Sequence, residues 1–574
     1  MHDAVGASQH LTLPTEIWNE CWSYSDTWDI KNLCLVCRLF RALCQKRLFR
    51  SLYFVAPSPE YVTRDNVAEW ADSLELSSYR HASLVSDPDA SLLPALVQEW
   101  SFIGFAREFN PNLPDYPGIA RFEEAYTIAI ESFFVALPFY RNIRSIDLSY
   151  LDVDQRARAI FAMFPALDAL KLNECNITSP KGPSLPLRLC DLSHHSSLNG
   201  RENTTEPIDL VLPDRLQELL FTHTHNIELV LPWLLNFQSF EYLTNLTLAL
   251  KPASTRMFRE LLEKCPRLQC LFISMHSTLS PEFFSIPLPS SIVPQLRRVF
   301  IPCDVARVLV PGRPVDRVEI HGRGSDAPGS SVIAELLKVL RPSVPLRTLR
   351  VSIPGVAPDL AILSSIHTKC PDLISLDLEL DDLPKNEDED MGTEGGSSGG
   401  VGVGNSFDSV GSSVTVSTHP PDGNRDDDPA MMGTQPAAGD TTQDELPVPH
   451  YLYVGSSQEL PRLRKGVVMR SSDYPAIAVD EHGCPVRKLG TFAGLVDHLA
   501  LGHAHLPSLL ETLHLSQYSH YPQQGEVRRF TIEEQHSAIA RLAILYPHLK
   551  KIYLGFHGNA WERVQPELWR VPWS

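Results

Sequence analysis

One spacing of apolar residues recurs through most of this chain and restricts its fold more than any other feature. It has the form Leu-x-x-Leu-x-Leu, in which Ile, Val or Phe can occupy an apolar position. The copies begin at Ile143, Leu167, Leu216, Leu243, Leu268, Leu296, Val315, Leu346, Leu373, Leu510 and Leu549. From Leu216 to Leu373, successive copies are separated by 27, 25, 28, 19, 31 and 27 residues. A period of about 25 residues is typical of chains built from repeated supersecondary units.

The spacing within each copy predicts a β-strand. The last two apolar residues are two positions apart, so on a strand they point to the same face. The first apolar residue lies three positions earlier, at the turn into the strand. A buried Leu contributes roughly 1.5–3 kcal/mol, and one copy buries too little apolar surface to fold alone. Stacked copies share a continuous core, so the pattern predicts a solenoid.

The segments between several copies have the spacing of amphipathic helices, at residues 254–264, 332–340, 360–369 and 532–545. Thr531 and Glu534 have the spacing of a capping box at the start of the last one. A strand followed by a returning helix, repeated many times, gives a parallel sheet in an α/β solenoid. The Cys-Pro-x-Leu junctions at Cys265 and Cys370 resemble those of cysteine-containing leucine-rich repeats. The asparagine of the strict repeat is mostly absent, which implies an irregular form of that fold.

The amino-terminal region has a different pattern, which predicts a helix over residues 33–45. At 100° per residue, its apolar side chains occupy a continuous arc of roughly 220°. They are Ala42, Leu35, Leu39, Leu43, Val36, Phe40, Leu33, Cys44 and Cys37. A helix with one buried face needs a stripe of only about 100°. The extra width predicts two packing surfaces, one for the helix's own domain and one for a partner.

Four short motifs follow one another in this region. They are Leu13-Pro14-x-Glu16-Ile17, Asp29-Ile30, Val36-Cys37-Arg38-x-Phe40 and Leu48-Phe49-Arg50-x-Leu52. Pro14 suits the first turn of a helix, after Thr12 as a capping residue. The ordered set resembles the F-box over residues 10–54. One position departs from the family pattern, since Ser25 stands where leucine is common, with Trp22 and Trp28 nearby to fill the space.

The resemblance implies docking on the small helical adaptor of a cullin–RING ubiquitin ligase and, through the adaptor, on the cullin. Carried over motif by motif, it assigns adaptor binding to Leu13, Pro14, Ile17, Ile30, Leu33, Val36, Cys37 and Phe40. It implies a non-catalytic substrate receptor of the SCF type, whose repeat region binds the protein to be ubiquitinated. The alternative is a protein-interaction scaffold whose F-box-like module acts outside ubiquitin transfer. An enzyme within the solenoid is a third class, and it would require titratable residues that converge in a pocket.

Residues between the two buried positions of each strand face away from the core and are candidates for substrate binding. This set contains Asp147, Lys171, Thr247, Phe272, Phe300, Glu319, Arg350, Asp377, His514 and Tyr553. We take eight of them as candidate substrate-binding residues: Lys171, Phe272, Phe300, Glu319, Arg350, Asp377, His514 and Tyr553. Their mixture of charged and aromatic side chains suits a protein ligand. They form no basic stripe of the kind that binds DNA or RNA.

The length of 574 residues exceeds what a single core usually supports, so we expect several regions. These are a flexible tail (1–9), an F-box-like helical module (10–54), a helical linker or cap (55–140) and a leucine-rich-repeat-like solenoid (141–383). A disordered insertion (384–447) and a continuation of the solenoid with a carboxy-terminal cap (448–574) follow. The fold class is therefore α/β, a small all-α module followed by an irregular solenoid. Residues 179–207, rich in Ser, Pro and His, are expected to form a long loop within it.

Charge and composition distinguish the insertion at residues 384–447 from the rest of the chain, and the charge also bears on nucleic-acid binding. Residues 381–445 contain 15 acidic and 2 basic residues, a net of −13 out of −19 for the chain. Their Gly, Ser, Asp and Pro cannot bury enough surface to offset the entropy of ordering, which predicts disorder. The negative charge argues against general nucleic-acid binding.

The remaining sequence signals predict an intracellular protein without a cofactor. A basic cluster followed by an apolar stretch is absent at the amino terminus, and no apolar run approaches the ~20 residues of a membrane span. Eleven irregularly spaced cysteines suit reduced thiols, so we expect a cytoplasmic or nuclear location. Cys34-x-x-Cys37 and the three histidines His498, His503 and His505 have spacings seen in metal sites, but structural roles are favoured for both. We expect no catalytic residues, no metal and no cofactor.

A double substitution tests the F-box interpretation. Replacing Leu13 and Pro14 by alanine removes the first motif, so adaptor binding is expected to be lost while the repeat region stays folded. Co-purification with the adaptor, together with circular dichroism of the variant, checks both parts. Retained co-purification would refute the assignment of these two residues.

Overall fold

A computed structural model describes residues 14–56, 62–63, 65–86, 93–104, 118–179, 181–192, 209–222, 231–250, 255–275, 288–322, 329–353, 359–380, 469–470, 491–517, 531–555, 560–565 and 568–570. The chain divides into two compact units, one of residues 1–383 and 468–574 and one of residues 384–467. All of the described residues belong to the first unit. The expected flexible tail (1–9) and the expected disordered insertion (384–447) lie outside the described residues, as does Thr12.

Three short helices form the amino-terminal module: α1 (Thr15–Ser23), α2 (Thr27–Val36) and α3 (Arg38–Leu48). Asp26 caps α2, since its carboxylate accepts a hydrogen bond of 2.7 Å from the Asp29 amide. Cys37 separates α2 from α3 with an extended backbone (φ −157°, ψ 168°), and its sulfur accepts from the Phe40 amide at 3.4 Å. The prediction of one continuous helix over residues 33–45 is therefore wrong. The break at Cys37 divides the apolar arc between two helices.

This module has a small hydrophobic core of its own. Trp22, Ile30 and Cys44 are buried, and Phe40 packs against them, with its ring centroid 4.8 Å from that of Trp22. Trp28 is 70% exposed, so of the two tryptophans near Ser25 only Trp22 fills the core. The Arg47 guanidinium donates to the Ser23 and Ser25 carbonyls at 2.9 and 3.0 Å, which ties α3 to the α1–α2 connection.

The rest of the described chain is organised around one large sheet, whose strands are mostly parallel. In chain order the strands are β1 (Ser51–Val55), β2 (Glu99–Ile103), β3 (Ser145–Ser149), β4 (Asp152–Val153), β5 (Ala169–Asn173), β6 (Asn176–Ile177), β7 (Leu189–Asp191), β8 (Glu218–Phe221), β9 (Asn245–Leu250), β10 (Cys270–Met275), β11 (Arg298–Pro302), β12 (Arg317–His321), β13 (Thr348–Ser352), β14 (Ser375–Leu380), β15 (Met469–Arg470), β16 (Thr512–Gln517), β17 (Lys551–Leu554), β18 (Ala560–Gln565) and β19 (Leu568–Arg570). Strands β4 and β6 form a separate parallel pair.

Within the large sheet, neighbouring strands follow chain order. From β1 to β17 each strand pairs in parallel with the next one, apart from β4, β6 and β15. Strands β18, β19 and β15 then extend this end of the sheet by antiparallel pairing. The prediction of a mixed α/β fold with a large parallel sheet is confirmed.

Each of the eleven sequence copies forms a strand, and equivalent residues of the copies lie side by side. Leu246 in β9 is beside Leu271 in β10, which is beside Val299 in β11. The two apolar residues of each of these strands are buried in one continuous core. The strands were therefore predicted from the sequence pattern, and the structure adds the register between them.

Three strands of the parallel series from β1 to β17 lie outside the predicted copies, namely β1, β2 and β7. In β2, Trp100 and Phe102 occupy the buried positions, and in β7 these are Cys190 and, just beyond the strand, Leu192. The expected loop at 179–207 thus contains β7. The sheet begins at Ser51, so the expected boundary between residues 54 and 55 falls inside β1, and the expected helical region 55–140 contains β2. The pattern missed β2 and β7 because it did not admit Trp or Cys, which bury as well as Leu does.

Helices connect many of the strands. They are α4 (Val67–Ser86), α5 (Ile119–Ala136), α6 (Gln155–Phe161), α7 (Thr255–Glu263), α8 (Cys303–Leu309), α9 (Gly329–Val339), α10 (Leu360–Lys369), α11 (Phe492–Ala500) and α12 (Ile532–Leu545). Helices α7, α9, α10 and α12 agree with the helices predicted from sequence. The capping box of α12 is confirmed, with Glu534 donating its amide to the Thr531 hydroxyl at 3.1 Å and Thr531 donating its amide to the Glu534 carboxylate at 2.9 Å.

The buried tryptophan of β2 provides a test of this core. Trp100 is 1% exposed, so Trp100→Ala leaves a cavity and is expected to lower the free energy of unfolding by about 3–5 kcal/mol. Urea denaturation followed by circular dichroism measures the change. The matched control is Trp28→Ala, at a 70% exposed side chain, where we expect a change within about 0.5 kcal/mol. Equal losses in the two variants would contradict this placement of Trp100.

Candidate functional site

The structure separates the residues assigned to adaptor binding into different environments. Pro14, Ile17, Val36 and Cys37 are exposed, whereas Leu33 and Phe40 are half-buried against the core of the module. Ile30 is 2% exposed and belongs to that core, so its assignment as a partner contact is corrected. Its place in the motif is explained by packing between α2 and the rest of the module. Leu13 lies outside the described residues.

Three of the exposed apolar residues of the module lie together at the break between α2 and α3. Leu35 is 77% exposed and Val36 is 67% exposed at the end of α2, and Leu39 is exposed in the first turn of α3. Exposed apolar residues grouped in this way are typical of protein interaction sites. We refer to Leu35, Val36, Cys37 and Leu39 as the break surface. Leu35 and Leu39 were missed as candidate contacts because they fall between the motif positions.

Seven of the eight candidate substrate-binding residues form one uninterrupted row on the outward face of the sheet. Each is paired in register with the next, in the order Phe272, Phe300, Glu319, Arg350, Asp377, His514 and Tyr553. We call these seven the outward row. Lys171 occupies the equivalent position of β5, between Asp147 and Asp191, several strands away. The outward row therefore extends across neighbouring strands from β10 to β17.

Two phenylalanine rings occupy the β10 end of the outward row. The rings of Phe272 and Phe300 stack with centroids 4.1 Å apart and an interplanar angle of 2°. Two residues beyond Glu319 on β12, His321 stacks on Phe300 at 4.6 Å. Burial lowers the pKa of His321 to about 4, because the charged imidazolium would lose its hydration there. His321 is therefore neutral at pH 7, which suits its contact with a phenyl ring.

Charges of alternating sign continue the outward row. The Arg317 guanidinium lies 2.7 Å from the Glu319 carboxylate, and Arg350 lies 3.2 Å from Asp377 and 4.0 Å from Glu319. His514 Nδ1 is 3.1 Å from Asp377 Oδ1, close enough for an ion pair when protonated but without the alignment of a hydrogen bond. These contacts neutralise most of the charge within the sheet face itself.

A shallow depression of about 200 Å³ lies over strands β9 to β12. Its lining consists of Asn245, Leu246, Thr247, Cys270, Leu271, Phe272, Arg298, Val299, Phe300, Arg317 and Glu319. Asn245, Cys270, Arg298 and Arg317 were missed from sequence, because only one outward position of each strand was selected. The residue two positions earlier also faces outward, and the same two-residue period would have found it.

The histidines and cysteines with metal-like spacing have structural contacts. Nδ1 of His498 lies 3.0 Å from Nδ1 of His503, and Cys37 caps α3. Within the described ranges, no group of three or more His, Cys, Asp and Glu side chains is arranged to hold a metal ion. In the same part of the chain, none of the helices has both the length and the apolarity required to cross a membrane.

The low pKa of His321 predicts a pH-dependent contribution to stability. Unfolding restores the pKa to about 6.5, so below that pH the unfolded state binds a proton that the folded state does not. Stability is therefore lost as the pH falls from 6.5 towards 4, by at most about 3 kcal/mol from this residue. We expect His321→Phe to lose less stability over this range than the wild type, measured by urea denaturation. The control His548→Asn, at an exposed histidine, should follow the wild-type curve, and an unchanged curve for His321→Phe would contradict the prediction.

Comparison with known proteins adds no family to this description. Neither a protein-family model nor a curated protein matches the sequence. The two surfaces, the break surface on the helical module and the outward row with its depression on the sheet, are therefore the observations on which a function can be argued.

Proposed function

We propose that this chain is a substrate-receptor subunit of an SCF-type cullin–RING ubiquitin ligase. The observation that carries the proposal is the break surface, a group of exposed apolar residues on a helical module whose motifs resemble the F-box. In this proposal the break surface, with Pro14 and Ile17, contacts the helical adaptor. The sheet face binds the protein to be modified, and other subunits of the ligase perform the chemistry.

The connection between the module and the sheet supports a receptor role. Only Phe49 and Arg50 separate α3 from β1, and both amides donate to carbonyls of α3. The Arg50 carbonyl in turn accepts from the Gln98 and Glu99 amides at 2.8 and 3.0 Å. A short, hydrogen-bonded connection limits how far a bound substrate can move relative to the module. Such restriction raises the effective concentration of substrate at the site of transfer.

The sheet supports a leucine-rich-repeat-like interpretation of the substrate domain. Strands follow chain order in parallel, and equivalent apolar residues of successive copies are adjacent in register. Cys265 and Cys370 are buried immediately before the turns that lead into β10 and β14, as expected for cysteine-containing repeats. Repeats of this kind characteristically bind partners through a continuous surface, which here would include the outward row.

The alternative scaffold function remains distinguishable by experiment. A scaffold acting outside ubiquitin transfer would co-purify with the adaptor without the cullin. The proposed receptor would bring down both the adaptor and the cullin, and loss of the chain would raise the level of at least one associated protein. Affinity purification with and without proteasome inhibition separates the two functions.

One substitution tests the break surface directly. Val36→Asp places a charge on a 67% exposed apolar residue, and burying that charge against the adaptor should reduce co-purification at least about tenfold. Tyr79→Asp on α4 is the matched control, since Tyr79 is 72% exposed and lies outside the module. We expect Tyr79→Asp to retain the adaptor. Full retention by Val36→Asp, in a variant that remains folded by circular dichroism, would remove the break surface from the proposed interface.

A further inference from the structure

We propose that the depression over β9 to β12 binds an extended peptide segment through a carboxylate side chain next to a large apolar side chain. This rests on the proposed function, because the segment would belong to the substrate, and it defines the chemistry of that substrate.

The charge of the depression favours an anionic group. Arg317 is engaged by Glu319, and Arg350 is shared between Glu319 and Asp377. Arg298 is exposed and has no carboxylate partner among the residues that the structure describes. Its register neighbour on β12 is Arg317, so a second positive charge lies beside it. An oxyanion at Arg298 would balance the two neighbouring positive charges.

The two phenylalanines at the β10 end of the outward row supply the apolar contact. Phe300 is two residues after Arg298 on β11, so both side chains project from the same face. Phe272 and Phe300 are each half-buried, and both line the depression. A large apolar side chain placed on these rings would remove their remaining exposed area from water. The two contacts therefore select an acidic residue that is adjacent to an apolar one.

The size of the depression favours side chains of a peptide over a cofactor. Its volume of about 200 Å³ is below the roughly 300–1,000 Å³ of pockets that enclose small molecules. It opens on a sheet face along which further charged residues continue. An extended peptide can place one or two side chains in the depression and make its remaining contacts along the outward row.

A carboxylate fits this site better than a phosphate. A phosphate group carries a charge of about −1.5 to −2 and is commonly bound by clusters of arginine. Here Glu319, with a side chain only 16% exposed, already holds Arg317, which leaves a single unengaged guanidinium. One arginine matches one carboxylate in charge and in bidentate geometry.

A randomised peptide library tests the proposal on the full chain. Nine-residue peptides are selected on the immobilised chain and sequenced before and after selection. We expect enrichment of Asp or Glu adjacent to Phe, Leu or Ile. Phosphoserine versions of the selected peptides, with phosphoserine in place of the acidic residue, should bind no more tightly than the originals. Failure to enrich acidic–apolar pairs, or tighter binding of the phosphoserine peptides, would overturn the proposed ligand chemistry.

Two variants locate the site on the chain. Arg298→Gln should weaken the selected peptides by about tenfold and abolish their preference for Asp over Asn. Arg256→Gln, at an exposed arginine on α7, is the matched control and should bind as the wild type does. If Arg298→Gln kept the preference for Asp over Asn, the acidic residue of the peptide would not bind at Arg298. Adaptor co-purification of the same variants distinguishes the two proposals, since loss of peptide binding with retained adaptor concerns only the depression.

Discussion

Register between parallel strands is the constraint on which the rest of this structure depends. In the parallel series from β1 to β17, the carbonyl of the residue before a strand accepts from two amides at the start of the next strand. Gln98 O does so from Arg144 and Ser145 at 2.7 and 3.0 Å, and Arg347 O does so from Ile374 and Ser375 at 2.8 and 3.0 Å. This repeated pair of hydrogen bonds aligns successive copies. A slip of one residue would turn the apolar side chains outward, so the core and the outward face are specified together.

The same alignment places charged residues of neighbouring strands next to each other on the outward face. Neighbouring strands lie about 4.8 Å apart, so residues at equivalent positions are within direct reach of each other. Like charges there would repel, and Glu319, Arg350 and Asp377 alternate accordingly. Arg298 beside Arg317 is the exception. The contact between Arg317 and Glu319 relieves part of this repulsion, and an anionic ligand at Arg298 would relieve the remainder.

The sequence alone predicted the strands of the eleven copies, because each strand is recognised by a local pattern. That pattern is two apolar residues on one face of a short strand. It failed at β2 and β7, where Trp100 and Cys190 take the position of leucine, since burial selects for volume and apolarity and not for one residue type. It also failed at Cys37, where a thiol caps a helix that periodicity alone would continue. The outward row could be predicted, but its ion pairs and stacked rings depend on which strands become neighbours, and this is set by folding.

The two cores of the described chain differ in what they can support. The sheet core is continuous from β1 to β19, whereas the helical module buries only Trp22, Ile30 and Cys44. A core of that size provides little stability by itself. Leu35, Val36 and Leu39 nevertheless remain exposed, although burial against the neighbouring sheet would have stabilised both parts. A partner that covers these three residues would add apolar contacts to the small core of the module. Binding would therefore stabilise the module more than it would stabilise the sheet, whose core is already large.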